Sequence, residues 1–220
     1  MILSIAKREF NSMFLSPLAW VILAVIQVIL AWSFFSYVDE FFRIQSDLTT
    51  IKNAPGVTDL VASPLFEVAS VVLLMVTPLL TMRLISEEKR NKTISLLLSS
   101  PVSITEVVLG KYLGLLLFIS TILIMLIMMP LSLAMGTELD LIKLFSGFFG
   151  LFLMLAAFGA AGLYMSSLTD NPMIAAISTF GLLLLLWMIS VNSASATGSA
   201  SALTYLSIHT HFTAMLRGIM

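Results

Sequence analysis

Charged side chains concentrate in one short segment of this chain, and that segment is the first candidate for a functional site. The residues Glu87–Arg90 follow one another, and a leucine triplet, Leu96–Leu98, comes shortly after them. An apolar patch bordered by charges is typical of a protein–protein interface. The pattern predicts a short docking helix over residues 91–100. The alternative is a solvated charge cluster followed by a helix that lies on the membrane surface.

Residues suited to catalysis or metal binding are sparse. His209 and His211 do not share a helix face at this spacing, so they are interpreted as interfacial histidines and not as metal ligands. Ser199 lies in a low-complexity run that supplies no activating base. The chain has no cysteine, which excludes disulfides and thiolate metal sites. It also has no P-loop motif, so it is not expected to bind ATP through a P-loop. We predict no catalytic residue, no bound cofactor and no metal in this chain.

The composition of the chain indicates a membrane protein. The chain has 220 residues, of which 59% are hydrophobic and 10% are charged, whereas an ordinary soluble domain has about 25% charged residues. A chain of this size cannot bury so much apolar surface in a water-soluble globule. The formal net charge of −1 leaves no basic surplus for nucleic-acid binding. We therefore expect an all-α, polytopic membrane protein with a single transmembrane domain, residues 1–220.

Stretches almost free of charge predict five transmembrane helices. A helix crosses the hydrocarbon core of a bilayer with about 20 residues. The third predicted span begins with a capping box, Ser103 and Glu106, and Lys111 in its second turn is expected to extend to the lipid headgroups. The predicted spans are residues 17–37, 64–84, 104–133, 141–166 and 172–191.

Two segments outside the spans are expected to lie at the membrane surface. Residues 1–15 predict an amphipathic interfacial helix, and residues 192–220 predict an outer loop with a re-entrant or interfacial segment. Lys and Arg are more frequent in the loops on the same side as the N-terminus. The N-terminus is therefore expected to be cytoplasmic.

Small residues mark two predicted packing surfaces. Gly110 and Gly114 lie near the start of the third span, and Gly159 and Gly162 lie in the fourth. Small residues allow helix backbones to approach closely, so these surfaces are expected within the chain or between two subunits. The alternative is that they line a substrate path. Ionisable residues are nearly absent from the span centres, which argues against a proton-coupled carrier.

Four segments of the chain resemble the permeases of type-2 ABC transporters, most closely the short gliding-motility-type branch. Two departures are Lys92, where this family usually has Gly, and Ser95, where it usually has Glu. The family usually has six spans, so a further helix is expected after Met220; the alternative is a five-span variant. The similar segments are Lys7–Ala19, Pro78–Arg90, Thr93–Ser103 and Val108–Gly114.

The resemblance implies a mechanism and a set of partners. Two permease chains, identical or related, would lie in the bacterial inner membrane above two cytoplasmic ATPase subunits that bind ATP and Mg²⁺. The implied function is ATP-driven export of an unidentified substrate. The alternative is a membrane anchor or a mechanotransmitting or assembly subunit that transports nothing. The resemblance assigns the contacts with the ATPase to Glu87, Glu88, Lys89, Arg90, Thr93, Leu96, Leu97, Leu98 and Pro101.

Overall fold

The computed structural model describes residues 1–48, 55–92, 103–137, 139–193 and 208–216, and all regular elements in these ranges are helical. A π-helical turn, Thr58–Ala62, precedes the third helix, and a 3₁₀ turn, Leu133–Met135, follows the fifth. The α-helices of the described residues are α1 Ile2–Leu15, α2 Pro17–Leu48, α3 Ser63–Thr81, α4 Ser86–Arg90, α5 Ile104–Ser132, α6 Leu141–Leu168, α7 Pro172–Ser193 and α8 Ile208–Leu216.

The helix lengths confirm an all-α, polytopic membrane protein. Among the described residues, four segments are long and apolar enough to cross a membrane, and α7 adds a shorter apolar stretch, Pro172–Met188. The helix α2 does not end at Tyr37, where the first span was predicted to end, and continues to Leu48. The four long segments are Pro17–Gln45, Thr58–Arg90, Ile104–Ser132 and Leu141–Leu168.

Local sequence signals explain where the helices begin. Ser103 and Glu106 form the predicted capping box, in which the Ser103 hydroxyl accepts a hydrogen bond from the Glu106 N–H at 3.3 Å. The Asp140 carboxylate caps α6 by accepting from the backbone N–H groups of Ile142 and Lys143. Pro17 separates α1 from α2 because the residue before a proline disfavours the helical conformation.

Helix packing brings a different set of elements together at each end of the bundle. At one end, α1 packs along the first turns of α5, and α4 lies beside the turn between α6 and α7. At the other end, Thr58 accepts a hydrogen bond from the Asp140 N–H at 3.0 Å, and α8 packs against the start of α6. The span α3 lies between α2, α6 and α7, with Leu65 and Phe66 fully buried.

Candidate functional site

The candidate site is the cluster of polar contacts around α4. This helix has Glu87 and Glu88 in its first turn and Lys89 and Arg90 in its last. Acidic residues at a helix N-terminus and basic residues at its C-terminus both interact favourably with the helix dipole. The charge order therefore stabilises a short helix. Lys92, with φ 56°, lies in the left-handed region just beyond its end.

Lys111 joins three helices at this site. Its ammonium lies 2.9 Å from a carboxylate oxygen of Glu88 in α4 and 3.3 Å from one of Glu9 in α1. The side chain of Lys111 is only 3% exposed. The expectation that Lys111 extends to the headgroups is wrong. The helices α1 and α4 cover this part of α5 and supply two carboxylates that compensate the buried charge.

Two further contacts attach α4 to the end of α6. The Ser166 hydroxyl accepts hydrogen bonds from the backbone N–H groups of Ile85 and Ser86, at 3.2 and 3.1 Å, and donates to the Met82 carbonyl. These N–H groups lie at the start of α4, where no helical partner is available. The Lys89 ammonium donates to the Ser167 carbonyl at 2.6 Å. Hydrogen bonds to α6 therefore hold the chain at the start of α4 and again at Lys89, one turn later.

The four predicted residues of the charge cluster take two different positions. Glu88 and Lys89 point into the subunit, toward Lys111 and Ser167, whereas Glu87 and Arg90 are exposed. The remaining predicted contact residues lie outside the described part of the chain, so their role stays a prediction. These are Thr93, Leu96, Leu97, Leu98 and Pro101.

The four predicted packing glycines lie at close helix contacts within the chain. A Cβ added at Gly110 would lie 2.7 Å from the Ile5 side chain, and one at Gly114 would lie 2.8 Å from the Glu9 side chain. Gly159 faces Leu115 in α5, and Gly162 faces Thr81 in α3. Gly110 and Gly114 therefore let α1 approach α5. A contact of any of the four with a second subunit stays a prediction.

Sequence reasoning did not find Glu9, Lys111 and Ser166 as members of the site. Two signals were present: Lys111 is a cation in an apolar helix, and Glu9 is an acid in a helix with a large apolar face. A buried ion needs a counter-ion, so these charges of opposite sign are natural partners. No sequence feature distinguishes Ser166 from the other serines in the predicted spans.

The opposite end of the bundle contains a second set of polar contacts. The Lys143 ammonium in α6 lies 3.2 Å from a carboxylate oxygen of Asp59. Burial lowers the pKa of His209 in α8 and outweighs the negative charge of Glu67, which acts in the opposite direction. Among the described residues, no group of three or more His, Cys, Asp or Glu side chains is placed to hold a metal ion.

The comparison with protein families agrees with this architecture. The family model described as ABC-2 family transporter protein matches residues 3–220. No curated protein and no solved structure matches the chain significantly. The gliding-motility branch stays a prediction, since the family model does not distinguish it. With its polytopic helices and a match over nearly its whole length, the chain belongs to the ABC-2 family of transporter proteins.

Proposed function

We propose that this permease exports a substrate across the membrane in response to ATP hydrolysis by separate cytoplasmic ATPase subunits. Membership of the ABC-2 family supports the role of a membrane permease. ATP and Mg²⁺ would bind in the ATPase subunits, and this chain would catalyse no reaction itself. A second permease chain, identical or related, would complete the transmembrane part.

One observation carries this proposal: polar contacts join α4 to α1, α5 and α6. Glu88 connects it to Lys111 in α5, Lys111 connects to Glu9 in α1, and Ser166 holds its first N–H groups. An ATPase that pushed on the segment after α4 would therefore move α1, α5 and α6 together. Packed helices joined by polar contacts transmit such a displacement because their interiors are nearly incompressible.

The charge distribution supports a cytoplasmic position for this end. The contacts of Lys111 and Lys89 bring α1, α4 and the α6–α7 turn to the same end of the bundle. Basic residues near short cytoplasmic loops set the orientation of a membrane protein. In the proposed orientation the N-terminus and α4 face the cytoplasm of a bacterium, and α8 faces outward. The basic residues at the cytoplasmic end are Lys7, Arg8, Arg83, Lys89, Arg90, Lys92 and Lys111.

Isolation of the chain from its native membranes in a mild detergent tests the partnership. Mass spectrometry should detect a subunit with a nucleotide-binding domain in near-stoichiometric amount. It should also show whether the second permease chain is identical or related. Recovery of the permease with other membrane proteins but without an ATPase would contradict the proposal.

A non-transporting anchor would use the same docking segment, so a transport assay must separate the two functions. The isolated complex would be reconstituted in vesicles with ATP on the side of the ATPase. An ATP-dependent flux supports export. ATP hydrolysis without flux of any lipid, glycolipid or peptide of the native membrane supports the anchor.

A further inference from the structure

A cleft lies between the α1–α2 junction and the end of α3. Its volume is about 110 Å³, which is several times the space that one water molecule needs. Charged side chains line one part, among them Arg83 and Glu87, and the rest is lined by apolar side chains and by Ser12 and Ser16. The apolar residues Leu18 and Leu79 are 41% and 43% exposed and belong to two predicted spans. The cleft is therefore polar on the side of α4 and apolar toward the membrane.

Among the residues that the structure describes, the two charges on the polar side have no partner of opposite charge. Within the described residues, the Arg83 guanidinium and the Glu87 carboxylate form no ion pair or hydrogen bond, with each other or with another group. Glu9 also lines the cleft, but its carboxylate is paired with Lys111. One positive and one negative side chain thus remain available in the same cleft.

The chemistry of these two groups specifies a ligand. A guanidinium matches the geometry of a phosphate and binds it with two parallel hydrogen bonds. The Glu87 carboxylate accepts hydrogen bonds, so it suits an ammonium that carries N–H donors. A purely anionic headgroup would be repelled by Glu87. A quaternary ammonium is usually recognised by aromatic rings, and none of the described residues lining the cleft is aromatic.

We propose that this cleft binds one zwitterionic phospholipid whose headgroup joins a phosphate to a primary ammonium, as in phosphatidylethanolamine. Arg83 contacts the phosphate and Glu87 contacts the ammonium. The acyl chains pass over Leu18 and Leu79 into the hydrocarbon core. The lipid lies against α2, α3 and α4 at once, and its binding does not depend on the identity of any protein partner.

Native mass spectrometry of the full chain in detergent tests the proposal. The chain is supplied with phosphatidylethanolamine, phosphatidylcholine or phosphatidylglycerol of identical acyl chains. We expect one phosphatidylethanolamine per chain, retained roughly tenfold better than the other two lipids. Equal retention of the three lipids would overturn the proposal. Displacement of the lipid by an equimolar amount of free phosphoethanolamine would show a soluble ligand, and would also overturn it.

Three variants locate the binding to this cleft. Arg83→Gln should reduce retention of phosphatidylethanolamine about tenfold, and Glu87→Gln should remove the preference over phosphatidylcholine. Arg83→Lys, which keeps the charge, should restore part of the binding. Arg90→Gln is the matched control, because Arg90 is an exposed cation of α4 that does not line the cleft. A lipid preference unchanged in both Arg83→Gln and Glu87→Gln would place the lipid elsewhere and contradict the proposal.

Discussion

The Lys111 ammonium lies 2.9 Å from a carboxylate oxygen of Glu88, and this contact joins the short charged helix α4 to the buried face of the long span α5. Glu9 of α1 approaches the same ammonium from a third helix, at 3.3 Å. A basic side chain that is only 3% exposed needs carboxylate partners to offset the loss of water around it. Its two carboxylates therefore fix the relative positions of α1, α4 and α5.

Replacement of Lys111 by methionine should destabilise the fold. The substitution removes the cation that the Glu9 and Glu88 carboxylates share, at a cost of about 3 kcal/mol. Thermal unfolding of the detergent-solubilised chain, followed by tryptophan fluorescence, measures the loss. Lys111→Arg keeps the charge and should retain most of the stability. Equal unfolding temperatures for wild type and Lys111→Met would show that the charge cluster is not structural.

A side chain at Gly114 should displace α1 from α5. A Cβ there would lie 3.1 Å from the Ala6 carbonyl oxygen and 2.8 Å from the Glu9 Cβ, which leaves no room for leucine. Overpacking of this kind costs about 1–3 kcal/mol. Ala6 is 1% exposed, so an Ala6→Cys reporter should react with a maleimide roughly tenfold faster in the Gly114→Leu background.

The control for this experiment is Gly181→Leu. A Cβ at Gly181 meets nothing within 4 Å among the described residues, so the cysteine at position 6 should stay protected there. Equal labelling rates in the Gly114→Leu and Gly181→Leu backgrounds would refute the tight contact between α1 and α5.

Removal of the Ser166 hydroxyl should loosen the start of α4. Ser166→Ala leaves the N–H groups of Ile85 and Ser86 without their acceptor, and each unsatisfied buried group costs about 1–3 kcal/mol. Hydrogen exchange of these two amides should accelerate roughly tenfold or more. Ser178→Ala is the control, since within the described ranges the Ser178 hydroxyl donates only to carbonyls of its own helix. Unchanged exchange at positions 85 and 86 would contradict the role of Ser166.

Acidification should weaken the packing of α8. Burial lowers the pKa of His209, so the folded state favours the neutral imidazole. The stabilisation is therefore fully present above the ordinary pKa of about 6.5 and is lost as the pH falls through the lower folded value. Labelling of a Phe212→Cys reporter, a position that is 2% exposed, should be faster at pH 5 than at pH 8.

Substitution of the histidine identifies the titrating group. His209→Gln should abolish most of the pH dependence of labelling at position 212, whereas His211→Gln should retain it. A pH dependence that persists in His209→Gln would assign the effect to another group and contradict the role of His209.

The sequence predicted the helices well because their signals are local. The capping box at Ser103 and the prolines at positions 17 and 172 mark helix starts within a few residues of the chain. Long apolar stretches likewise predict the spans from local composition, whichever helices pack against them. The helix α2 continues beyond the predicted first span because Asp39, Glu40 and Arg43 end the apolar stretch but not the helix, in which Arg43 and Asp39 form an ion pair at 2.8 Å.

The site itself was predicted only in part, since it depends on contacts between distant segments. The charge cluster Glu87–Arg90 was identified, but its division into inward and exposed residues depends on Lys111 and Ser167. Lys111 was expected at the headgroups because the sequence does not indicate that α1 lies over the start of α5. The glycines at positions 110 and 114 allowed that contact but did not identify the partner helix.

The central claim is that the segment after α4 transmits force from an ATPase, and Leu97→Glu tests it most directly. The complex would be isolated from membranes that contain equal amounts of wild-type, Leu97→Glu or Leu97→Met permease, and ATPase content and ATP hydrolysis would be measured. At the proposed interface, a charge in place of Leu97 should reduce the retained ATPase roughly tenfold or more, whereas the volume-conserving Leu97→Met should behave as wild type. The same ATPase content and the same hydrolysis rate in Leu97→Glu would contradict the account.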